Sequence, residues 1–283
     1  MSVSAFCNAG FDILGPEGLG SLSGYSGNPV VLLTAAALVI CGGLGFFVWE
    51  ELRTRRSYRR LSLYSRMVLW ITGALLLGGT VFFFCTEYAN PATLGPMPVW
   101  QKLLNAFFQS ASLRTAGFYA IDQGALTDTA TAGCILLMLV GGSSGSTAGG
   151  LKTVTLGVLL LSMGAGLRGR ETVVFRGRQI PPKQVLSALT LVQTMGVVFL
   201  TASMAIALAD SVPFLQAAYE AASAIATVGL TTGITPGLSL FSHLLLIAMM
   251  YLGRVGVLSF SLAFLSGGTA ERIQYPETSV MIG

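Results

Sequence analysis

The feature that most constrains this chain is a series of long segments that carry almost no charge. A membrane-spanning helix needs about 20 mostly apolar residues to cross a hydrocarbon core of roughly 30 Å. Charged residues make up only 10% of the 283 residues, against roughly 25% in an ordinary soluble domain. The sequence therefore predicts an all-α polytopic membrane protein and excludes a soluble domain. Five segments are long enough to form full spans: 29–49, 64–88, 127–165, 184–209 and 238–267.

Two further apolar stretches, 99–113 and 212–226, are helix-like but too short to cross a bilayer. Each ends in small residues that include a glycine, so both are predicted to be re-entrant pore helices. Irregular backbone is tolerated at membrane depth only where protein or water surrounds it, and two such hairpins suggest a conduction route. The alternative, a pair of amphipathic loop helices on the surface, stays open at this point.

The basic residues predict the orientation of the chain in the membrane. Two short loops, 51–66 and 166–183, hold 11 of the 16 basic residues. Because Lys and Arg accumulate in cytoplasmic loops, both loops and the C-terminus are predicted to be cytoplasmic. The connections 89–126 and 210–237 hold only two basic residues, so both pore hairpins are expected to enter from outside. Residues 1–28 would then begin outside with no preceding span, and we expect that an upstream segment is missing.

One short pattern occurs three times and defines what we call the glycine hairpins. In each copy two small residues stand five and six positions before a glycine, a polar residue stands two before it, and a large apolar residue follows. The glycines Gly10, Gly117 and Gly229 are 107 and 112 residues apart, so the predicted unit is span, pore hairpin, span. The copies are residues 2–11, 109–118 and 221–230.

Such a repeat fits the chemistry of a dehydrated cation. Backbone carbonyls that point one way can replace the hydration shell of an ion without any titratable group. Glycine reaches positive φ at little steric cost, so one glycine per hairpin can turn a carbonyl toward a central axis. The pore helix before it directs its partly negative C-terminal end at the ion. The alternative role for these glycines is tight helix packing.

A second glycine-rich element, residues 141–150, interrupts the segment 127–165. A straight helix of that length would be nearly twice the hydrocarbon thickness, so the chain must be broken there. About 13 helical residues from Asp128 would place this glycine-rich loop below the filter, where a gate belongs. The loop resembles a nucleotide-binding motif, but Leu151 breaks the spacing and no strand precedes it, which argues against phosphate binding.

With these elements in place, the chain resembles the Trk/Ktr/HKT superfamily of potassium transporters, most closely the KtrB-type membrane subunit. The resemblance implies four fused span–hairpin–span units around a pseudo-fourfold pore, of which this chain would hold the second, third and fourth. The first unit and the first span of the second are absent, and a truncated or mis-started chain of this kind is expected to conduct nothing alone. The matching signatures are Ser4–Asp12, Arg114–Phe118, Gly141–Thr153, Ala224–Gly233 and Gly253–Gly256.

The resemblance also implies an organisation into five parts. They are a pore hairpin and second span of the truncated second repeat (1–50), a cytoplasmic Arg-rich loop (51–66), the third repeat with an intramembrane gate (67–165), a basic cytoplasmic loop (166–183), and the fourth repeat with a C-terminal tail (184–283).

The site residues follow from the resemblance, position by position. The implied filter residues, whose carbonyls would hold K⁺ as the only metal, are Asn8, Ala9, Gly10, Thr115, Ala116, Gly117, Thr227, Val228 and Gly229. The implied gate residues are Gly141, Gly142, Ser143, Ser144, Gly145, Ser146, Thr147, Ala148, Gly149, Gly150, Lys152 and Arg254.

Four charged residues in apolar surroundings carry open alternatives. Arg254 is predicted near the middle of the last span, where an unpartnered ionisable group is costly; it either holds carbonyls of the gate and repels cations, or pairs with an acid such as Glu220. Lys152 either borders the gate or extends toward water. Glu220 either braces the last hairpin or is solvated, and Arg114 is expected to brace its hairpin.

The resemblance implies potassium uptake across the bacterial cell membrane, with sodium as a coupled or stimulating ion and no cofactor. It implies a homodimer and a ring of cytosolic nucleotide-binding regulatory subunits; besides lipid, nothing points to nucleic acid. The alternatives are a non-conducting fragment and a secondary carrier for another cation or solute. An enzyme is not expected, because no paired carboxylates, metal cluster or activated nucleophile is visible.

Overall fold

The computed structural model describes residues 1–13, 20–170 and 172–256. Within these ranges the chain forms ten α-helices joined by loops and short 3₁₀ turns. They are α1 (Ser2–Phe6), α2 (Pro29–Leu44), α3 (Phe46–Arg55), α4 (Leu63–Glu87), α5 (Val99–Ser112), α6 (Asp128–Leu139), α7 (Thr153–Gly166), α8 (Pro182–Asp210), α9 (Phe214–Ile225) and α10 (Leu240–Val255).

Two of these helices, α4 with 25 residues and α8 with 29, are long and apolar enough to cross a membrane. The pair α2 and α3 becomes a third candidate if the two helices are counted as one span bent by 93°. Helices α6, α7 and α10 are apolar but shorter. The five spans stay a prediction, and part of the last one, residues 257–267, lies outside the described residues.

The bend between α2 and α3 departs from the straight span predicted for residues 29–49. Helix α2 ends at Leu44, and Gly45 turns the chain with φ of 89° before α3 continues to Arg55. A methyl group at Gly45 would lie 2.9 Å from the Ser144 carbonyl oxygen. The bend therefore occurs where the glycine-rich loop presses against the helix, and helical structure extends into the predicted Arg-rich loop.

The prediction of an all-α chain needs one small correction. Strands β1 (Val174–Phe175) and β2 (Arg178–Gln179) form an antiparallel ribbon inside the predicted basic loop. The two turn residues, Arg176 and Gly177, have φ of 49° and 78°. Positive φ at both central residues is the requirement of the tight turn that matches the twist of two antiparallel strands, so the local backbone favours a ribbon here.

The two short helices α5 and α9 lie at the centre of the fold. Helix α5 packs against α2 and α4, and α9 packs against α6, α8 and α10. Every residue of α9 from Ala217 to Ile225 is buried. An amphipathic helix on the surface would leave one face to solvent, so a surface position does not fit α9; in α5 the residues from Leu104 to Ser112 are largely buried, while Val99, Trp100 and Leu103 are exposed.

Candidate functional site

All three glycine hairpins have the same unusual backbone. In each of them the residue two positions before the glycine, which is not itself a glycine, has positive φ, and so does the glycine. The φ values are 49° and 70° at Asn8 and Gly10, 69° and 79° at Thr115 and Gly117, and 55° and 89° at Thr227 and Gly229. For a β-branched threonine positive φ is a genuine outlier, and such a residue costs of order 1–3 kcal/mol. One strained conformation repeated three times indicates a shared task.

The three glycines meet in space. A methyl group added to Gly117 would lie 3.1 Å from Gly10 Cα and 2.5 Å from the Val228 carbonyl oxygen. One added to Gly10 would lie 3.0 Å from the Ala116 carbonyl oxygen, and one on Gly229 would lie 3.9 Å from Gly117 Cα. The hairpin of Gly117 therefore sits between the other two, and the backbones approach each other too closely for larger side chains.

Each hairpin tip is tied to the end of the helix before it. The amide just before the glycine donates to a carbonyl of that helix at 2.8–3.0 Å in all three copies. The pairs are Ala9 to Ser4, Ala116 to Ser112 and Val228 to Ser223. The structure thus brings together the nine residues that the resemblance assigned to the filter, each hairpin held at the C-terminal end of α1, α5 or α9.

The glycine-rich loop lies directly against the hairpins. It contacts the positive-φ polar residue of every copy. In the first copy, Asn8 Nδ2 donates a 3.3 Å hydrogen bond to Thr147 Oγ1. In the other two copies, the side chain of Thr115 or Thr227 lies close to a glycine of the loop. A methyl group on Gly141 would lie 3.2 Å from Thr115 Cγ2, and one on Gly149 would overlap the Thr227 hydroxyl. The loop therefore closes one side of the region where the hairpins converge.

The ends of the loop are held together by backbone hydrogen bonds. The Gly141 amide donates to the Leu151 carbonyl at 2.9 Å, and the Thr153 amide donates to Gly142 at 3.0 Å. The hydroxyls of Ser143 and Thr153 are 2.9 Å apart. The loop thus leaves α6 and returns into α7 through a narrow neck.

The far side of the loop is attached to the elbow between α2 and α3. The Ser143 amide donates to the Gly43 carbonyl at 2.9 Å, and the Phe46 amide donates to Gly145 at 3.1 Å. The Tyr64 hydroxyl of α4 donates to the Ser144 carbonyl at 2.9 Å. These contacts, which join residues far apart in sequence, carry no local sequence signal.

Three basic side chains bond carbonyl oxygens of the loop. Arg254 Nη1 donates to Thr147 at 2.8 Å, Lys152 Nζ donates to Ala148 at 2.7 Å, and Arg114 Nη2 donates to Gly141 at 3.1 Å. Within the described ranges none of the three forms an ion pair. In the described part of the chain, positive charge therefore lies beside the loop without a carboxylate paired to it.

These contacts decide several of the open alternatives. Arg254 lies in the last turn of α10 and does not pair with Glu220, so that pairing is wrong. Lys152 borders the loop through its bond to the Ala148 carbonyl and is partly exposed. Arg114, which is buried, links its hairpin to the loop through this bond, and its bracing role stays a prediction.

Glu220 braces the third hairpin. Its carboxylate accepts four hydrogen bonds of 2.7–2.9 Å, from the hydroxyls of Thr231, Thr232 and Thr235 and from the Thr232 amide. It is only 4% exposed. The segment after Gly229 is therefore fixed to α9 by one buried carboxylate.

Sequence reasoning missed a matching arrangement at Glu87. This carboxylate is fully buried and accepts hydrogen bonds from Asn90, Thr93 and Thr127 at 2.5–3.0 Å. The signal in the sequence was an acidic residue at the end of an apolar span, followed by Asn and Thr. Both buried carboxylates are satisfied by local donors, and neither points at the convergent glycines.

The fold and site together define a helical membrane protein in which strained glycine hairpins converge on a glycine-rich loop. A family model described as TrkH, a cation transport protein, matches residues 1–270. The chain belongs to this family, and within it to the Trk/Ktr potassium transporters of the KtrB type.

The chain is similar over its whole length to several named proteins. It is 40% identical to the potassium/sodium uptake protein NtpJ of Enterococcus hirae and 39% identical to the Ktr system potassium uptake protein B of Bacillus subtilis. It covers 63% and 62% of those relatives, so it spans less than two thirds of their length. They are transport proteins and not enzymes, as the sequence predicts.

A solved structure supports the fold. The potassium transporter TrkH from Vibrio parahaemolyticus superposes with a TM-score of 0.71 at 18% identity. The match covers 93% of this chain and 57% of that one. At this identity the likeness is one of fold.

Proposed function

We propose that this chain supplies three of the ion-binding hairpins of a channel-like potassium uptake pathway, with sodium as a coupled or second transported ion. The observation that carries the proposal is the convergence of Gly10, Gly117 and Gly229 with the same positive φ. A single glycine in each hairpin would turn backbone carbonyls toward the ion, which loses its water only if oxygens replace it.

The chemistry of the surroundings supports backbone oxygens as the ligands. Within the described ranges no three His, Cys, Asp or Glu side chains lie close enough to hold a metal ion. Both buried glutamates are occupied by local donors. A monovalent cation would therefore be held by the carbonyls of residues 8–10, 115–117 and 227–229.

In this proposal the glycine-rich loop is the gate. It lies against all three hairpins, and basic groups on its carbonyls would place positive charge where a cation must pass. Repulsion between like charges in a confined, poorly solvated path disfavours a cation there. Displacement of the loop with Arg254 and Lys152 would open the pathway.

We further propose that the chain works in the bacterial cell membrane with its C-terminus in the cytoplasm. The bias of basic residues toward two loops supports this orientation. The printed names of the relatives describe uptake of potassium or sodium and a Ktr system, and a homodimer with a cytosolic nucleotide-binding regulatory ring is the proposed assembly.

Rubidium uptake by a chimera tests the proposal. This chain would replace the matching 62% of the Bacillus subtilis Ktr system potassium uptake protein B in a bacterium that lacks potassium uptake. Gly117→Ala should lower uptake by at least about ten-fold, because left-handed backbone costs a residue with a Cβ roughly 1–2 kcal/mol and the new methyl group would lie 2.5 Å from the Val228 oxygen.

The matched control is Gly164→Ala in α7, where a methyl group would have no atom within 4 Å. It should leave uptake unchanged at equal amounts of protein in the membrane. Equal uptake by Gly117→Ala and Gly164→Ala would contradict the proposed filter.

A further inference from the structure

The two predicted basic loops meet around one aromatic ring. The guanidinium carbons of Arg66 and Arg176 lie 5.8 and 5.9 Å from the centre of the Tyr58 ring. These distances fit cation–π contacts, yet they also bring two like charges to one place. In the described part of the chain the ion pair found is Arg55 with Glu51, elsewhere in the first loop.

Arg66 has unused hydrogen-bonding capacity at this place. Its Nη2 donates to the Arg59 carbonyl, but its Nε is buried and has no acceptor among the described residues. A guanidinium has five donors in a fixed fork that suits phosphate and carboxylate. An anion near the two arginines would be attracted by both charges and would reduce the repulsion between them.

An apolar groove begins at Arg176 and runs along the outside of α4 and α7; Arg66 precedes its first lining residue, Met67, in the chain. It has a volume of about 270 Å³, and Arg176 is the charged residue among its lining. Trp70 and Leu160 are 63% and 51% exposed, so the groove opens to the surroundings of the helices. The lining residues are Met67, Trp70, Ile71, Gly157, Leu160, Leu161, Phe175 and Arg176.

The position of Arg176 at the groove is fixed by packing. Phe175 and Ile180, on either side of the ribbon turn, pack into a cluster with Met67 and Val158. The Ile180 amide also donates to the Val173 carbonyl at 2.8 Å. The turn is thus attached to α4 and α7, and Arg176 is held at the end of the groove.

We propose that this groove binds an anionic phospholipid, with the phosphate between Arg66 and Arg176 and one acyl chain along α4 and α7. Charge complementarity selects the headgroup, since basic pockets between membrane helices bind anionic headgroups. Trp70 lies one helical turn from Arg66, the placement expected of an aromatic residue at the membrane interface.

Native mass spectrometry of the full 283-residue chain, purified in detergent, tests the site. Phosphatidylglycerol is the probe, and phosphatidylcholine and soluble glycerol phosphate are the comparisons. Arg176→Gln should weaken phosphatidylglycerol binding about five-fold, the effect expected for one basic residue near a lipid surface. Arg168→Gln, a basic residue of the same loop that does not line the groove, is the control and should bind as the unmodified chain does.

A second pair of variants tests the acyl chain. Leu160→Asn makes the groove polar and should weaken binding, whereas Met163→Asn, also exposed on α7 but outside the lining, should not. Equal binding by the Arg176 and Arg168 variants, equal binding of the two phospholipids, or full competition by glycerol phosphate would overturn the proposal.

Discussion

The Arg254 guanidinium donates a hydrogen bond to the Thr147 carbonyl oxygen at 2.8 Å, which ties the last helix to the glycine-rich loop. The hydroxyl of the same threonine lies 3.3 Å from Asn8 Nδ2 in the first glycine hairpin. Thr147 is therefore the point at which the loop contacts both the first and the last repeat in the chain.

Arg254→Gln should raise rubidium uptake by the chimera about five-fold. The substitution removes a positive charge from the proposed path and weakens a hydrogen bond to the loop, and a net loss of about 1 kcal/mol favours the open loop by that factor. Uptake per amount of membrane protein is the measurement. Arg53→Gln, in α3, is the control, and equal or lower uptake with Arg254→Gln would count against the gate.

Thr147→Val should lower the thermal unfolding midpoint of the purified chain. The hydroxyl lies 3.2 Å from the Phe6 carbonyl oxygen and 3.3 Å from that of Gly42, as well as near Asn8. Valine keeps the shape but leaves these groups unpaired, at about 1–3 kcal/mol, or roughly 2–4 °C for each kcal/mol in a chain of this size.

The control for that variant is Thr194→Val in α8, whose hydroxyl bonds the Thr190 carbonyl of its own helix. A midpoint for Thr147→Val that matches this control would show that the loop does not depend on the hydroxyl. Uptake by the chimera gives a second reading, which should rise if the loop is loosened.

Local sequence was sufficient to locate the buried helices. The predicted stretches 99–113 and 212–226 correspond closely to Val99–Ser112 and Phe214–Ile225. A proline precedes each helix and fixes where it begins, and small residues with a glycine follow it. These signals act within a few residues, so composition and spacing could reveal them.

Contacts across the chain could not be read in this way. Arg114 bonds the Gly141 carbonyl 27 residues away, and the Gly45 bend depends on the Ser144 carbonyl oxygen in a later repeat. The intrinsic helix propensity of a segment is a weak predictor of its structure, because tertiary contacts can override it. The sequence indicated which glycines matter. It could not indicate which distant residues contact them, because those contacts depend on how the helices pack.

Glu220→Gln should destabilise the purified chain by about 1.5–3 kcal/mol, the range for hydrogen bonds to a charged group. The carboxamide oxygen of glutamine can still accept the bonds from Thr231 and Thr232 at one position, but its NH₂ group cannot accept the bond that Thr235 donates to the other carboxylate oxygen, and the charge that strengthens all of them is lost. Thermal unfolding measures the loss, with the exposed Glu50→Gln as control. Equal midpoints for the two variants would contradict the bracing role of Glu220.

Gly253→Ala tests how closely α10 must approach α9. A methyl group there would overlap the carbonyl oxygen of Ile225, the last residue of α9. Replacing glycine by alanine inside an exposed helix ordinarily stabilises it by up to about 1 kcal/mol, but overpacking costs about 1–3 kcal/mol. At Gly253 the second effect should win, because the obstacle is backbone that cannot rotate away.

Gly196→Ala in α8, where a methyl group would have no atom within 4 Å, provides the opposite expectation. It should leave the unfolding midpoint unchanged or raise it, whereas Gly253→Ala should lower it. Since Ile225 stands two residues before Thr227, the displaced helix end should also disturb the third glycine hairpin and reduce rubidium uptake by the chimera. A Gly253→Ala variant as stable and active as Gly196→Ala would show that α10 can move away from α9. It would also show that the end of α9 does not depend on close contact with α10.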